Sequence, residues 1–418
     1  MTEQKKIVFS HPTGNQNARA ALAALYNHGL LSRFYTSIAV FPNTLLDGVG
    51  NLPPLTEINR RRYDKQLQPF TKTFPFYETG RLLSTKFHFE KLLQYETGLF
   101  SVDAVYRALD KKVASSLPAG KRKGVTGIYA YEDGALFSFQ EAKRLGLQCL
   151  YDLPIGYWRA SHKLLETEKE IWPHWASTIT GLKNSQAKLQ RKDEELGLAE
   201  RIFVASSFTA KTLEEYPGSL APLTVIPYGF PPTFEGRDYG GIKTRKSIKV
   251  LFVGSLSQRK GIANLFAAVE PLRHFIELTI VGNKVTNDCP ALDKALAKHR
   301  WIPSLSHENV LKLMREQDVF VFPSLFEGFG LVITEAMSQG TPVITTERTA
   351  GPDLIEHGKE GWIVKAGDTQ ELSELFQELV SNPILLQQAG FAATEKARLR
   401  SWEVYGRELA KSIQELST

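Results

Sequence analysis

Residues 319–342, VFVFPSLFEGFGLVITEAMSQGTP, read as an apolar strand ending at Pro323, a loop carrying Glu327-Gly328-Phe329-Gly330, and a helix starting near Leu331. Gly328 and Gly330 let the backbone bend and approach a ligand closely. The free N–H groups and positive dipole end of the helix that follows favour a phosphate. Glu327 and Glu335 have seven residues between them; eight helical steps put them roughly 12 Å apart, and less if Glu327 sits in the loop. The pair can flank a helix-bound diphosphate, one carboxylate facing sugar hydroxyls and the other ribose hydroxyls, because a carboxylate accepts well from two such donors. Read blandly, Glu335 is a solvated helix position and the glycines form a turn. Two glutamates around a Gly-Phe-Gly helix start, after a strand, favour the ligand.

The same rhythm extends outward in both directions. Lys249–Gly254, Glu277–Gly282, Asp318–Phe322, Pro342–Thr346 and Trp362–Val364 read as strands, each followed by a turn and a helical segment. Ile7–Ser10, Gly127–Tyr131, Gln148–Tyr151 and Arg201–Ala205 read the same way in the first half, with helices from near Asn15 and Gly134. Short apolar runs alternating with helical periodicity predict parallel sheets covered by helices. The 418 residues exceed what one core usually serves, so two α/β domains are expected. The Pro- and Gly-rich stretch 227–247 marks the boundary, giving domains 1–230 and 231–401. An amphipathic segment from Trp402 towards the C-terminus is expected to pack back on the first domain as helix 402–418.

A second constellation is Gly254-Ser255-Leu256-Ser257-Gln258-Arg259-Lys260-Gly261, at a strand-to-helix turn. Cations there stabilise the charge that grows on a departing nucleoside diphosphate, and two solvated cations at a helix start would oppose the dipole. A loop with Gly14 follows the first strand, and His11 within it either caps or packs. The absence of G-x-G-x-x-G removes the fingerprint of a nicotinamide-binding domain.

Phe326-Glu327-Gly328-Phe329-Gly330 through Glu335-Ala336-Met337, Gly340-Thr341-Pro342, Val253-Gly254-Ser255 with Lys260-Gly261, and Ile280-Val281-Gly282 together resemble the retaining GT4 glycosyltransferases. The likeness is dense over about residues 200–370 and thin before them. It implies a GT-B fold, two Rossmann-like doubly wound domains facing a central cleft, with a nucleotide-diphosphate sugar (UDP- or GDP-linked) as donor substrate, retention of configuration, no separate cofactor and no metal. In that family the donor contacts fall at Gly14, Ser255, Arg259, Lys260, Ile302, Glu327, Gly328, Phe329, Gly330, Leu331 and Glu335. Relatives often carry Arg at the position of Ser255, so Arg259 is the substitute guanidinium. Relatives also place a histidine near the reacting carbon, where this chain offers Glu132 and Asp152. Either carboxylate orients the sugar or takes the acceptor's proton, or else caps a helix, as Asp133 readily would. Glu327, Lys260, Arg259, Glu132 and Asp152 are thus the candidate catalytic groups.

The acceptor expected from the resemblance is a glycan or lipid-linked hydroxyl in cell-envelope polysaccharide or glycolipid synthesis. A glycoside phosphorylase, a nucleotide-sugar epimerase and a non-catalytic nucleotide-sugar-binding subunit are the alternatives. Residues 51–123 carry 14 basic against 7 acidic residues, which reads either as a solvated face or as a surface for an anionic partner such as a membrane. The aromatics of the same region either pack an irregular helical insert or lie at headgroup depth. Nothing points to nucleic acid. No apolar run is long enough to span a bilayer, the start shows no signal-peptide anatomy, and two cysteines fit a reducing cytosol. The expected location is cytoplasmic, peripheral at the inner membrane face.

Overall fold

The computed structural model describes residues 5–50, 56–242 and 245–416. Its first sheet contains β1 (Ile7–Ser10), β2 (Leu31–Thr36), β3 (Thr71–Thr73), β4 (Gly127–Tyr131), β5 (Gln148–Leu153), β6 (Arg201–Val204) and β7 (Leu223–Val225), in the order β3-β2-β1-β4-β5-β6-β7. The second contains β8 (Ile248–Val253), β9 (Ile276–Val281), β10 (Arg300–Ile302), β11 (Val319–Phe322), β12 (Val343–Thr346) and β13 (Gly361–Val364), in the order β10-β9-β8-β11-β12-β13. Every neighbouring pair of these strands is parallel. Parallel strands are covered on both faces, which is why β1, β4, β11 and β12 are buried at every position, with β11 a continuous apolar run.

The strands expected from the sequence are present, with β5 two residues longer than read. Four more appear: β2, β3, β7 and β10. Three-residue strands such as β3, β7 and β10 are too short to show a period, and in β2 the half-buried Ser32, Arg33 and Tyr35 interrupt the apolar run. In each sheet the strand order reverses once, between β1 and β4 and between β8 and β11. Ligands of doubly wound sheets bind beyond the strand C-termini at that reversal. This places the loop after β1, and the turns after β8 and β11, where a ligand would lie.

Two chain crossings join the halves. Phe230 N donates to the Arg400 carbonyl at 2.8 Å, and Arg400 returns two bonds to the Pro227 carbonyl. Gly229 is required here: a Cβ on it would lie 2.4 Å from Trp402 N. Buried Tyr228 packs against Trp402, Tyr405 and Phe329, and its hydroxyl accepts from Asn17 at 2.9 Å. The helix Trp402–Gln414 lies on the helix Gln16–Asn27, with Gly406 allowing close contact at Ala24.

A third bridge was not legible in the sequence. The segment 158–179, which follows β5, reaches onto the second sheet's helices. Trp175 stacks on Phe266 at 5.9 Å, the Thr178 hydroxyl accepts from Gln258 N, and Glu168 accepts from Gln258 Nε2. Leu165, Ile179 and Phe208 form one apolar cluster with Leu325, Phe326 and Ala366.

Candidate active site

The two constellations read from the sequence meet at the β8/β11 reversal. The turn after β8 presents Lys260 Nζ to Glu327 Oε2 in a close ion pair, and Arg259 Nη1 lies 3.3 Å from the same oxygen and 2.9 Å from the Phe326 carbonyl. Leu325 N and Ser324 Oγ both donate to the Arg259 carbonyl, which fixes the two loops side by side. Burial and the neighbouring guanidinium push the Lys260 ammonium below its ordinary range, while the Glu327 carboxylate against it works the other way. Lys260 also sits 4.8 Å above the Phe322 ring. A second cation of low exposure beside one carboxylate leaves an excess positive charge facing the site. Ser255 is exposed at the mouth of the same turn.

Glu335 lies on the helix Leu331–Ser338, and its Oε1 contacts His307 Nε2 at 3.1 Å. His307 begins the helix His307–Arg315 and is an addition to the expected set; nothing about a lone histidine after the Ser306 cap singles it out in sequence. Gly330 caps the helix of Glu335 in the left-handed region (φ 86°), with no side-chain cap bond, so the helix start presents backbone N–H groups beside Leu331.

Two of the expected donor contacts need correction. Gly328 does not make room for a ligand: a Cβ there would lie 2.1 Å from the Pro154 carbonyl oxygen, so its bareness admits the backbone of the first domain. Its carbonyl accepts from Ser206 Oγ at 2.5 Å and Thr209 Oγ1 at 2.9 Å, which ties the Glu327 loop to that domain. The Phe329 ring is buried against Tyr228 at 4.8 Å and serves the crossing, leaving only its backbone near the site. The Ile302 carbonyl accepts from Gly282 N at 3.0 Å, which fixes it at the end of β10. Trp301, beside it, donates to the Gly282 carbonyl at 2.9 Å and so holds that turn.

The loop after β1 is built as the sequence suggested around Gly14, but by unexpected partners. Gly14 adopts φ 64°, and a Cβ on it would lie 1.9 Å from the Tyr63 hydroxyl. His11 Nδ1 accepts from Gly14 N at 2.7 Å and Thr13 N at 3.2 Å, so His11 caps its own loop. Acceptance requires the neutral ring, and burial with Arg61 and Arg19 nearby lowers its pKa to about 3. Arg19 donates to the Gly14 carbonyl and Arg61 to that of Thr13, while Arg62 pairs with Asp47. Arg19 and Arg61 thus brace the loop, while Arg62 stays half exposed.

Neither substitute for the family histidine stands open to the cleft. Asp152 lies inside β5 because that strand runs to Leu153. It is buried under Tyr405 and Tyr228, and accepts from the Tyr129 hydroxyl at 2.5 Å. Burial raises its pKa to about 7. Glu132 turns onto Lys192 at 2.7 Å with 9% of its side chain exposed; burial raises it and Lys192 opposes the rise. Asp133, with 23% exposure, is the more open carboxylate, ringed by Lys188, Arg191 and Lys192 within 3.6 Å. It sits at φ 70°, a conformation uncommon outside glycine. Nor does Asp133 cap the next helix. Glu195 accepts from the Asp133, Ala135 and Leu136 N–H groups, and Asp110 from those of Phe137 and Ser138.

Among the described residues no cluster of three His, Cys, Asp or Glu could hold a metal ion, and no helix is long and apolar enough to cross a membrane. A cavity of about 740 Å³ lies among Lys249, Ile276, Glu277 and Arg300, at the starts of β8, β9 and β10. That is the opposite end of the sheet from Lys260 and Glu327, so it does not include the pair.

Comparisons with known proteins agree with this geometry. Residues 241–396 match the family model described as Glycosyl transferases group 1. A phosphatidyl-myo-inositol mannosyltransferase of Mycobacterium leprae is 28% identical over 175 residues, 40% of this chain and 47% of that protein. A D-inositol 3-phosphate glycosyltransferase of Pseudarthrobacter chlorophenolicus is 28% identical over 225 residues, 49% of this chain and 53% of that protein. The chain thus spans about half the length of these curated relatives. Among solved structures, a sucrose-phosphate synthase from Thermosynechococcus elongatus superposes with TM-score 0.65 at 17% identity, covering 98% of each chain. Anabaena HepE in complex with UDP-glucose gives 0.60 at 16%, covering 98% of this chain and all of that one. The fold is therefore GT-B. Residues 241–396 are thus similar to the group 1 glycosyl transferases, in line with the GT4 type that the sequence resembles.

Proposed function

We propose that the protein is a retaining, metal-independent glycosyltransferase that moves a hexose-type sugar from a nucleotide-diphosphate sugar to a hydroxyl of a glycan or lipid-linked acceptor. The observation that carries this reading is the convergence of Lys260, Arg259 and Glu327 at the β8/β11 reversal, one helix away from Glu335. In this reading residues 231–401 hold the donor and residues 1–230 the acceptor side. The kinship of residues 241–396 to proteins named as glycosyltransferases supports it, as do the UDP and UDP-glucose named for the Anabaena neighbour.

An incoming diphosphate competes with the Glu327 carboxylate for Lys260 and Arg259, and the carboxylate so released accepts from sugar hydroxyls. As the bond from the anomeric carbon to the diphosphate breaks, the two cations meet the growing charge. The acceptor hydroxyl attacks from the face the diphosphate leaves, and its proton passes to the departing phosphate oxygen. Glu335 takes the ribose hydroxyls, in exchange for His307. With Asp152 and Glu132 engaged elsewhere, proton removal by the phosphate needs no protein base.

Thermal shift against UDP, GDP, ADP and their sugar conjugates tests the reading. A nucleotide at about 100 times its dissociation constant stabilises the folded state by roughly 2.7 kcal/mol, and Glu335→Ala should abolish the shift. No response to any nucleotide, or phosphate-dependent release of a sugar 1-phosphate, would overturn it; an inverted linkage in the product would overturn retention.

A further inference from the structure

Half of the fourteen exposed large apolar side chains among the described residues lie in one stretch, Phe76–Val102. Such concentration is unlike the scattered apolar residues of an ordinary surface. Phe76, Phe87, Phe89, Leu99 and Val102 are each more than half exposed. Phe87 and Phe89 flank His88, whose φ of 56° turns the chain between the helices Phe76–Lys86 and Glu90–Leu93.

The stretch is held firmly from behind. Phe100 packs on Phe76 and Tyr77 and fills the space a Cβ on Gly80 would need. Buried Glu78 binds Arg61 and Arg81, and Glu96 accepts from Ser185 N at 3.0 Å. The apolar side chains are therefore presented on a fixed support.

Their charged neighbours identify the partner. From Lys72 to Val102 the exposed charges are Lys72, Lys86 and Lys91 against the single acid Glu90. Lysine is depleted in the core of protein–protein interfaces. Exposed phenylalanines interleaved with lysines instead suit a bilayer boundary, with rings among the upper acyl chains and ammonium groups against lipid phosphates.

We propose that the face formed by Phe76–Val102 docks on an anionic lipid bilayer. Arg61 connects this face to the cleft: it pairs with Glu78 on one side and donates to the Thr13 carbonyl on the other. The docked face and the Gly14 loop are then one rigid unit, which would hold the cleft at a fixed height over the membrane. That purpose rests on the lipid-linked acceptor in the proposed function; the docking itself does not.

The test is sedimentation of the full chain with phosphatidylglycerol–phosphatidylcholine vesicles and with pure phosphatidylcholine vesicles. Binding to the mixed vesicles is expected, weakened by salt, by at least tenfold in the Phe87→Ser/Phe89→Ser double variant, and also in Lys86→Glu/Lys91→Glu. Both pairs are exposed, so an unchanged melting temperature is expected and verifies folding. Equal binding by wild type and variants, or none by wild type, would overturn the proposal. So would a wild-type dimer in sedimentation velocity that the phenylalanine variant converts to monomer, because the face would then join two copies. The nucleotide thermal shift should be unchanged in both variants, so failure of docking is distinguishable from failure of the donor-site reading.

Discussion

Asp152→Asn should leave glycosyl transfer intact and make the protein's stability less dependent on pH. The carboxyl is buried beneath the C-terminal helix, and its pKa is raised from 3.8 to about 7 by that burial. A carboxyl whose folded pKa lies above its unfolded value keeps its proton longer in the native state. Its contribution therefore falls as pH rises from about 4 to about 7, and is flat beyond. Three units at roughly 1.36 kcal/mol each give about 4 kcal/mol as the upper limit. At about 2–4 °C per kcal/mol for a unit of this size, the shift is on the order of 10 °C. The amide keeps an acceptor for the Tyr129 hydroxyl and can offer its N–H to the Tyr131 hydroxyl, which interacts with the carboxyl in wild type. The assay is thermal unfolding of wild type and variant at pH 5 and pH 8. The variant's advantage over wild type should grow from pH 5 to pH 8 by the two units between pH 5 and pH 7, about 2.7 kcal/mol. An unchanged difference between the two pH values would refute the assignment of the titration to Asp152. Loss of transfer with nucleotide binding and stability preserved would refute its placement away from the chemistry.

Glu327→Ala should abolish transfer and also destabilise the second domain by about 3–5 kcal/mol, since it leaves Lys260 buried without its carboxylate; Glu327→Ala/Lys260→Met should recover most of the stability and none of the activity, as read by melting and by product formation. Gly14→Ala should cost at least about 1–2 kcal/mol from the left-handed backbone alone, before its contact with Tyr63. Adding Tyr63→Phe removes the hydroxyl 1.9 Å away but leaves the ring carbon at 2.9 Å, so partial recovery in melting temperature is the expected outcome.

The sequence by itself determined the two-sheet α/β architecture and the two strand-end turns that meet at Lys260 and Glu327. Those signals are local: buried parallel strands write continuous apolar runs, and Glu327-Gly328-Phe329-Gly330 with Glu335 spans one strand-loop-helix unit. Even the pairing of that unit with Lys260 followed from reading both as strand-end turns of one sheet. Tertiary structure alone decided what each glycine and carboxylate does there. Gly328 is bare to admit the Pro154 backbone, the Phe329 ring belongs to a crossing with Tyr228, and Asp152 points into a core closed by Tyr405. In each case the partner lies more than 70 residues away, so no period or spacing records it. The same holds for Glu195, which caps a helix start 59 and 60 residues upstream and removes the need for Asp133 to do so. Which aromatics of the insert face solvent was likewise undecided by composition, because Phe100 and Phe87 differ only in whether a neighbouring helix covers them.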